Sequence, residues 1–299
     1  MRRLLTFAFA GVIAQLVDGA LGMAYGVTAT SFLLAGGTAP AVASATVHLA
    51  EVGTTFVSGV SHWRVGNVSW RLVALLGIPG AVGAFLGATV LSNLDGDAAK
   101  PWIAGVLLAL GALVLARFTF GRTPTPAPEE RLRARWMTPL GVSAGFVDAI
   151  GGGGWGPVTT PTLLTFGRLE PRRAIGSVSA SEFLVSLAAS LGFLFGLSGE
   201  GVDAGIVIAL LLGGVAVAPL AALLVHRLHV RVTGTLVGCL VIITNVRVLL
   251  KEAGWAGSAR FAVLVALVAV AGMLLVAAVR KARSEAAPTE VTEAEPVVL

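Results

Sequence analysis

Charge is what this sequence has least of. Only 12% of its 299 residues are Asp, Glu, Lys or Arg, about half the share of an ordinary soluble domain. So few charges cannot cover the surface of a water-soluble globule. Cysteine is reduced to Cys239, which excludes an internal disulfide and a thiolate metal cluster. Disorder is excluded too, because it needs low hydrophobicity and high charge. Here 56% of residues are hydrophobic and the mean hydropathy is +0.89. These absences leave a multi-pass membrane protein, and we place it in the inner cell membrane. The 38 glycines suit close helix packing in lipid.

The net charge is +5. Its basic residues stand between apolar runs, where they set orientation in the bilayer. No basic patch carries interleaved aromatics, so nucleic acid is not an expected partner. The first apolar stretch, after Arg2 and Arg3, is too long for a signal-peptide core and is interrupted by Asp18.

A spanning helix needs about 20 mostly apolar residues. The candidates are 41–62, 70–92, 101–119, 173–197, 203–226 and 231–250, with a last transmembrane helix inside 251–280. Two longer stretches, 4–37 and 137–167, are broken centrally by glycines: Gly19, Gly22 and Gly26 in the first, Gly151 to Gly154 and Gly156 in the second. Each reads as one kinked helix or as a hairpin of two half-helices. A half of ~14 residues reaches ~21 Å, short of the ~30 Å hydrocarbon core. Arginine-rich loops prefer the cytoplasm. If 137–167 turns back inside the membrane, the basic loops 62–71, 117–135, 168–173, 226–231 and 280–283 all fall inside. The hairpin is therefore the expectation for 137–167 and, by analogy, for 4–37, which puts the N-terminus outside. Residues 121–136 read as a Pro-rich cytosolic linker, and 281–299 as a disordered tail.

The two broken stretches match each other at an offset of 130. Val17-Asp18 aligns with Val147-Asp148, Gly22 with Gly152, Tyr25 with Trp155, Gly26 with Gly156 and Thr30 with Thr160. After a one-residue slip, Pro40 pairs with Pro171, Val47 with Val178 and Glu51 with Glu182. The expected fold is an all-α polytopic membrane protein of two inverted repeats, 1–120 and 137–250. Each is a Gly-broken re-entrant hairpin plus three transmembrane helices, and one final helix follows. An odd number of crossings per repeat turns the second upside down, the plan of secondary transporters with a mid-membrane site. Non-helical backbone at that depth survives only when buried in protein or lining a water-filled cavity.

These motifs, Val17-Asp18-Gly19-Ala20-Leu21-Gly22-Met23-Ala24-Tyr25-Gly26 and Val147-Asp148-Ala149-Ile150-Gly151-Gly152-Gly153-Gly154-Trp155-Gly156-Pro157, resemble the TauE/SafE family. So do Thr160-Pro161-Thr162-Leu163-Leu164 and Gly167. The likeness covers nearly the whole chain to residue 280. It implies a permease, with export of sulfite or small organosulfonates as the named activity. The first motif departs from a glycine run at Ala20, Met23 and Ala24.

Two kinds of chemistry are expected at the breaks. Helix N-termini carry free N–H groups and partial positive charge. Such ends near Tyr25 and Trp155 can hold an anion without a buried cation. The substrate-binding candidates are Gly22, Tyr25, Gly26, Thr28, Thr30, Gly152, Gly153, Gly154, Trp155, Gly156, Thr159 and Thr160. The alternative is that these residues only permit tight packing. Asp18 and Asp148 fall near mid-depth, where a lone carboxylate costs ~2.5 kcal/mol or more. They, with Glu51, Glu182 and His48, are the proton-coupling candidates. The competing role for the carboxylates is to cap the broken backbone. Trp63, Trp70, Trp102, Trp136 and Trp255 read as interfacial anchors. Trp155 and Tyr25 read as apex packing or gating groups, or as core filling, and Arg247 as snorkelling outward.

Gly141-Val142-Ser143-Ala144-Gly145 fits a nucleophile elbow, but in an apolar helix rather than at a strand-to-helix turn. Gly151, Gly153 and Gly156 fit a dinucleotide fingerprint without its βαβ unit. The expected protein is a non-enzymatic exporter of a small anion, sulfite or an organosulfonate, without cofactor or metal. A carboxylate or another sulfur compound is the alternative cargo, and an intramembrane serine hydrolase using Ser143 is the remote alternative.

Overall fold

A computed structural model describes residues 2–21, 23–121, 133–165, 171–198, 201–224 and 230–286. Gly22, most of the 121–136 linker, His226, His229 and the tail beyond 286 lie outside the described residues. All regular structure among the described residues is helical.

The first glycine-broken stretch forms α1 (Arg2–Leu21) and α2 (Tyr25–Ala35), and α3 (Pro40–Arg64) follows. α4 (Trp70–Leu72) continues through a π-helical turn (Val73–Gly77) into α5 (Ile78–Ser92), and α6 (Gly96–Phe120) closes the first half. The second half repeats the order. α7 (Ala134–Gly151) and α8 (Trp155–Thr165) form the second broken stretch. α9 (Pro171–Gly196), α10 (Ala204–Leu224) and α11 (Val230–Glu252) follow, then the final α12 (Gly257–Ala286).

Both breaks have a backbone cause. After α7, Gly152 at φ +65° and Gly153 at φ +142° take conformations that favour glycine. Before α2, Ala24 stands at φ +96°, a strained position for a side chain with a Cβ. The arms before the breaks are longer than the ~14 residues expected. α1 has 20 residues and α7 has 18, because the helices run through Gly19 and Gly151, and α7 stops only at Gly152, where φ turns positive. Each arm after a break has 11 residues, about 16 Å at 1.5 Å per residue.

Five described helices are long and apolar enough to cross a membrane: Trp70–Ser92, Ala98–Phe120, Arg172–Gly196, Gly234–Glu252 and Gly257–Ser284. α3 is 25 residues long but more polar. Its Ser44, Thr46, His48, Glu51, Thr54 and Thr55 are all buried, so its polarity faces other helices. Phe9, Val82, Phe85, Leu212, Val268 and Met273 are exposed. This is an outward-facing apolar belt of the kind lipid covers.

The repeats exchange partners. α1 packs chiefly against α10, and its counterpart α7 against α5, the counterpart of α10. α3 packs on α9, and α6 on α11. Small residues set these crossings. A Cβ on Gly83 would strike the Val142 backbone, and one on Gly213 would fall 3.2 Å from Val12 N. Gly213 and Val142 stand 130 residues on from Gly83 and Val12, so the two crossings correspond with the repeats swapped, shifted by one turn because the backbone atom nearest Gly213 is Ala8 O.

Other contacts place the helix ends. Leu4 meets Gly205, and Val42 meets Gly201. The starts of α1 and α3 therefore lie beside the α9–α10 turn. The Asn67 backbone meets Gly176, and Ser69 N–H donates to Ser177 Oγ at 2.9 Å. Gly141, early in α7, meets Leu76 and Pro79. The starts of α7 and α9 thus lie beside the α3–α4 turn, at the other end of α3.

Candidate functional site

The two breaks touch. A Cβ on Gly26 would sit 2.5 Å from Gly153 Cα, 2.8 Å from Glu51 Oε1 and 3.0 Å from Gly152 O. Thr30 Oγ1 donates to Gly152 O. Gly26 and Thr30 from the first stretch and Gly152 and Gly153 from the second therefore form one junction. Its approach is too close for any side chain larger than hydrogen at Gly26 or Gly153.

Asp148 organises the second break. Its Oδ1 accepts from Gly154 N–H at 2.6 Å and Trp155 N–H at 2.9 Å. The carboxylate thus caps α8, filling donors that the helix end leaves open. Its Oδ2 lies 3.1 Å from His48 Nε2. His48 Nδ1 lies 2.9 Å from Ser44 O, and Ser44 Oγ donates to Ala149 O at 2.6 Å. Asp18 faces the Tyr25 N–H in the equivalent way. The backbone-capping role therefore holds for Asp148. It also means that two of the α8 N-terminal N–H groups already carry a carboxylate, and Pro157 in that turn has none.

Asp18, Glu51, Asp148 and Glu182 are all buried and within electrostatic reach of one another, with His48 among them. The duplicated carboxylates converge on one region although they come from α1, α3, α7 and α9. Asp18 Oδ1 and Glu51 Oε2 are buried with no hydrogen-bond partner. So are Gln15 Oε1 and Thr28 Oγ1.

The aromatic groups also exchange between repeats. Tyr25 OH donates to Leu210 O at 3.1 Å. Trp155 is fully buried, its ring lies against Gly80, and its Nε1–H points to Val178 O and Ser181 Oγ, each at 3.2 Å. Gly80 and Leu210 are again 130 residues apart. The π-helical turn ends at Gly77, which packs against Ser181. Thr159 Oγ1 donates to Trp155 O, and Gly156 and Thr160 are buried in the same helix. Gly22 lies outside the described residues.

Two neighbours escaped the sequence reading although spacing could have found them. Ser44 is one turn before His48, and Gln15 is three residues before Asp18 on the same helix. Asn245 of α11 is fully buried and donates to Ser31 Oγ of α2 at 2.8 Å. This tie between the halves has no signature in the sequence. Ser143 is exposed and donates to Pro139 O at 2.8 Å inside its own helix, which is no nucleophile arrangement. Trp63, Trp70, Trp102, Trp136 and Trp255 are exposed, as is Arg247. One cavity of about 270 Å³ between α3, α9 and α10 has an almost wholly apolar lining. Phe193 stands in its wall with its ring 6.0 Å from that of His48.

A family model described as "Sulfite exporter TauE/SafE" matches residues 7–248. The chain belongs to the TauE/SafE family. It is similar to the probable membrane transporter protein YtnM of Bacillus subtilis (strain 168), with 53% identity over 255 residues, covering 84% of each chain. It is 28% identical over 165 residues to a probable membrane transporter protein of Xylella fastidiosa (strain 9a5c), covering 53% of this chain and 62% of that one. It is also 26% identical over 148 residues to the probable membrane transporter protein YdhB of Bacillus subtilis (strain 168), covering 49% of this chain and 60% of that one. No solved structure matches it. As a TauE/SafE chain it is a membrane transporter, and its buried carboxylates belong to a transport protein.

Proposed function

We propose that the protein exports a small anion, sulfite or an organosulfonate, across the inner cell membrane, and that protons exchange at its buried carboxylates during the cycle. The observation that carries this reading is the junction of two broken helices beside four carboxylates and one imidazole. Broken helices at a repeat interface are where secondary transporters hold substrate and coupling ion. The family model's description as a sulfite exporter supports the choice of cargo.

The exchange of partners between repeats supports an inverted-repeat plan. The starts of α1 and α3 lie at one end of the bundle, and those of α7 and α9 at the other. This favours two hairpins that come from opposite faces of the membrane. In this reading the junction is a closed state. Gly153 rests on Gly26, and Asp148 occupies the first N–H groups of α8. When the hairpins part, the anion takes the space between them. It is held by the first-turn N–H groups of α2 and α8 that the Asp caps leave open and by the hydroxyls of Thr28, Thr30, Thr159 and Thr160. Excess negative charge among the carboxylates opposes an arriving anion. Protonation removes that charge and lets both share the site.

The test is efflux of labelled sulfite and several sulfonates from vesicles holding the purified protein, with and without a pH gradient. Efflux above empty vesicles, lost in Thr160→Ala while membrane insertion is kept, is the expected result. Efflux no faster than from empty vesicles for every anion tried would sink the cargo assignment.

A further inference from the structure

The exchange that relates the repeats fails at one place, and the failure divides the carboxylates into two kinds. Asp148 is fully engaged, by two backbone N–H groups on Oδ1 and by His48 on Oδ2. The position matching His48, 131 residues on, is Ser179. Asp18 therefore has no imidazole across from it. Its Oδ1 is buried and unpartnered, and so are Glu51 Oε2 and Gln15 Oε1. Gln15 lies on the same face of α1 as Asp18 (i, i+3). Glu51 feels the Asp18 charge, and Ser186 lies beside Glu51. The carboxylate oxygens and the amide oxygen only accept hydrogen bonds, and Ser186 brings one hydroxyl hydrogen for these three acceptors, so the group is short of hydrogens to share. A protonated carboxyl supplies one.

We propose that Asp18 and Glu51 form the pair that takes up and releases the exchangeable proton, while Asp148 and His48 are a fixed clasp. The proposal rests on the transporter reading above and names the coupling site within it. In loading, one proton from water adds to a carboxylate oxygen of the pair. The new O–H donates to one of the unpartnered oxygens, and the pair loses one negative charge. In release the O–H bond breaks, the proton returns to water and the charge reappears. The titratable groups facing the pair are Tyr25 from α2, His48 from α3, Asp148 from α7 and Glu182 from α9. The described side chains of α10, which packs along α1, carry no charge. Arg247 of α11 is exposed.

The test is infrared difference spectroscopy of the full-length protein in lipid, between acid and alkaline buffer. It reads the carbonyl band of a protonated carboxyl without needing a substrate. The wild type should show a titrating band. Asp18→Asn and Glu51→Gln should each lose it, and Ser186→Ala should shift its midpoint. Asp148→Asn and His48→Gln should keep the band and lower the melting temperature instead. The proposal is overturned if the wild type shows no band, or if Asp148→Asn loses it while Asp18→Asn and Glu51→Gln keep it. Melting curves show which variants fold. If Asp18→Asn does not, Glu51→Gln and Ser186→Ala decide. In the vesicle assay, anion efflux driven by a sodium gradient and indifferent to pH also overturns the pair. A band that behaves as expected, with no efflux of any tested anion, supports the pair and removes only the cargo assignment.

Discussion

His48 Nε2 lies 3.1 Å from Asp148 Oδ2, tying a helix of the first repeat to the break of the second. Both side chains are almost wholly inaccessible, at 0% and 1%. Asp148→Ala strands the imidazole and the N–H groups of Gly154 and Trp155 at one stroke. Breaking a buried pair from one side costs about 3–5 kcal/mol. Thermal unfolding in detergent should show a large drop for Asp148→Ala and a smaller one for Asp148→Asn, whose amide oxygen still accepts from the backbone. The double variant with His48→Ala should lose less than the sum of the singles, because both remove one interaction. Unchanged melting of Asp148→Ala would show that the clasp contributes nothing.

Gly26 and Gly153 should tolerate no side chain. A methyl on Gly26 must displace the Gly153 backbone, and Gly153 also sits at φ +142°, where a Cβ is strained. Gly26→Ala and Gly153→Ala should insert into the membrane yet lose transport, read as efflux against protein recovered from the membrane. Gly105 of α6 is the control, since a Cβ there meets nothing within 4 Å. Gly105→Ala should keep full transport and gain about 0.5–1 kcal/mol of helix stability. Wild-type efflux by Gly153→Ala would separate the junction from function.

The duplicated Asp and Gly pattern carried most of the architecture. The 130-residue offset foretold that Tyr25 and Trp155 would begin equivalent helices, because glycine breaks and apolar periodicity are local properties. What the pattern could not show is which partner each Asp takes. Asp18 and Asp148 look alike in sequence. They differ because His48, 100 residues away, reaches only one of them. The polarity of α3 was legible, but not that it points inward against α9. The arms of α1 and α7 came out longer than expected, since glycine in a helix weakens it without ending it. The Asn245–Ser31 bond depends on tertiary packing alone.

Chain orientation gives a prediction independent of transport. With hairpins from opposite faces, the turn around Asn67 and the start of α9 at Arg172 share the cytoplasmic side. The turn around Asp95 and the α9–α10 turn near Asp203 share the outside. Cys239 is buried, so Cys239→Ala gives a quiet background for single-cysteine labelling. An impermeant maleimide added to intact cells should label Asp95→Cys and leave Asn67→Cys and Arg172→Cys unlabelled until the membrane is opened. Labelling of Arg172→Cys from outside would make 137–167 a single crossing.

Trp155 and Gly80 make a pair whose coupling can be measured. A Cβ on Gly80 would collide with Cη2 and Cζ3 of the indole, the far edge of its six-membered ring. Trp155 is fully buried, so the ring cannot swing into solvent. Gly80→Ala should therefore destabilise by about 1–3 kcal/mol, the usual cost of overpacking. Trp155→Phe removes the colliding edge together with the Nε1–H that faces Val178 O and Ser181 Oγ. Alone it should lose stability through a small cavity and the lost Nε1–H hydrogen bonds, while Val178 O keeps the Ser181 hydroxyl as a donor. Combined, the alanine methyl fills part of the space the indole leaves, so the double variant should melt above the temperature expected from adding the two losses. Additive losses would mean that the Gly80 helix shifts away to admit the methyl. The contact would then be plain filling, with no fixed spacing to keep between α5 and α8.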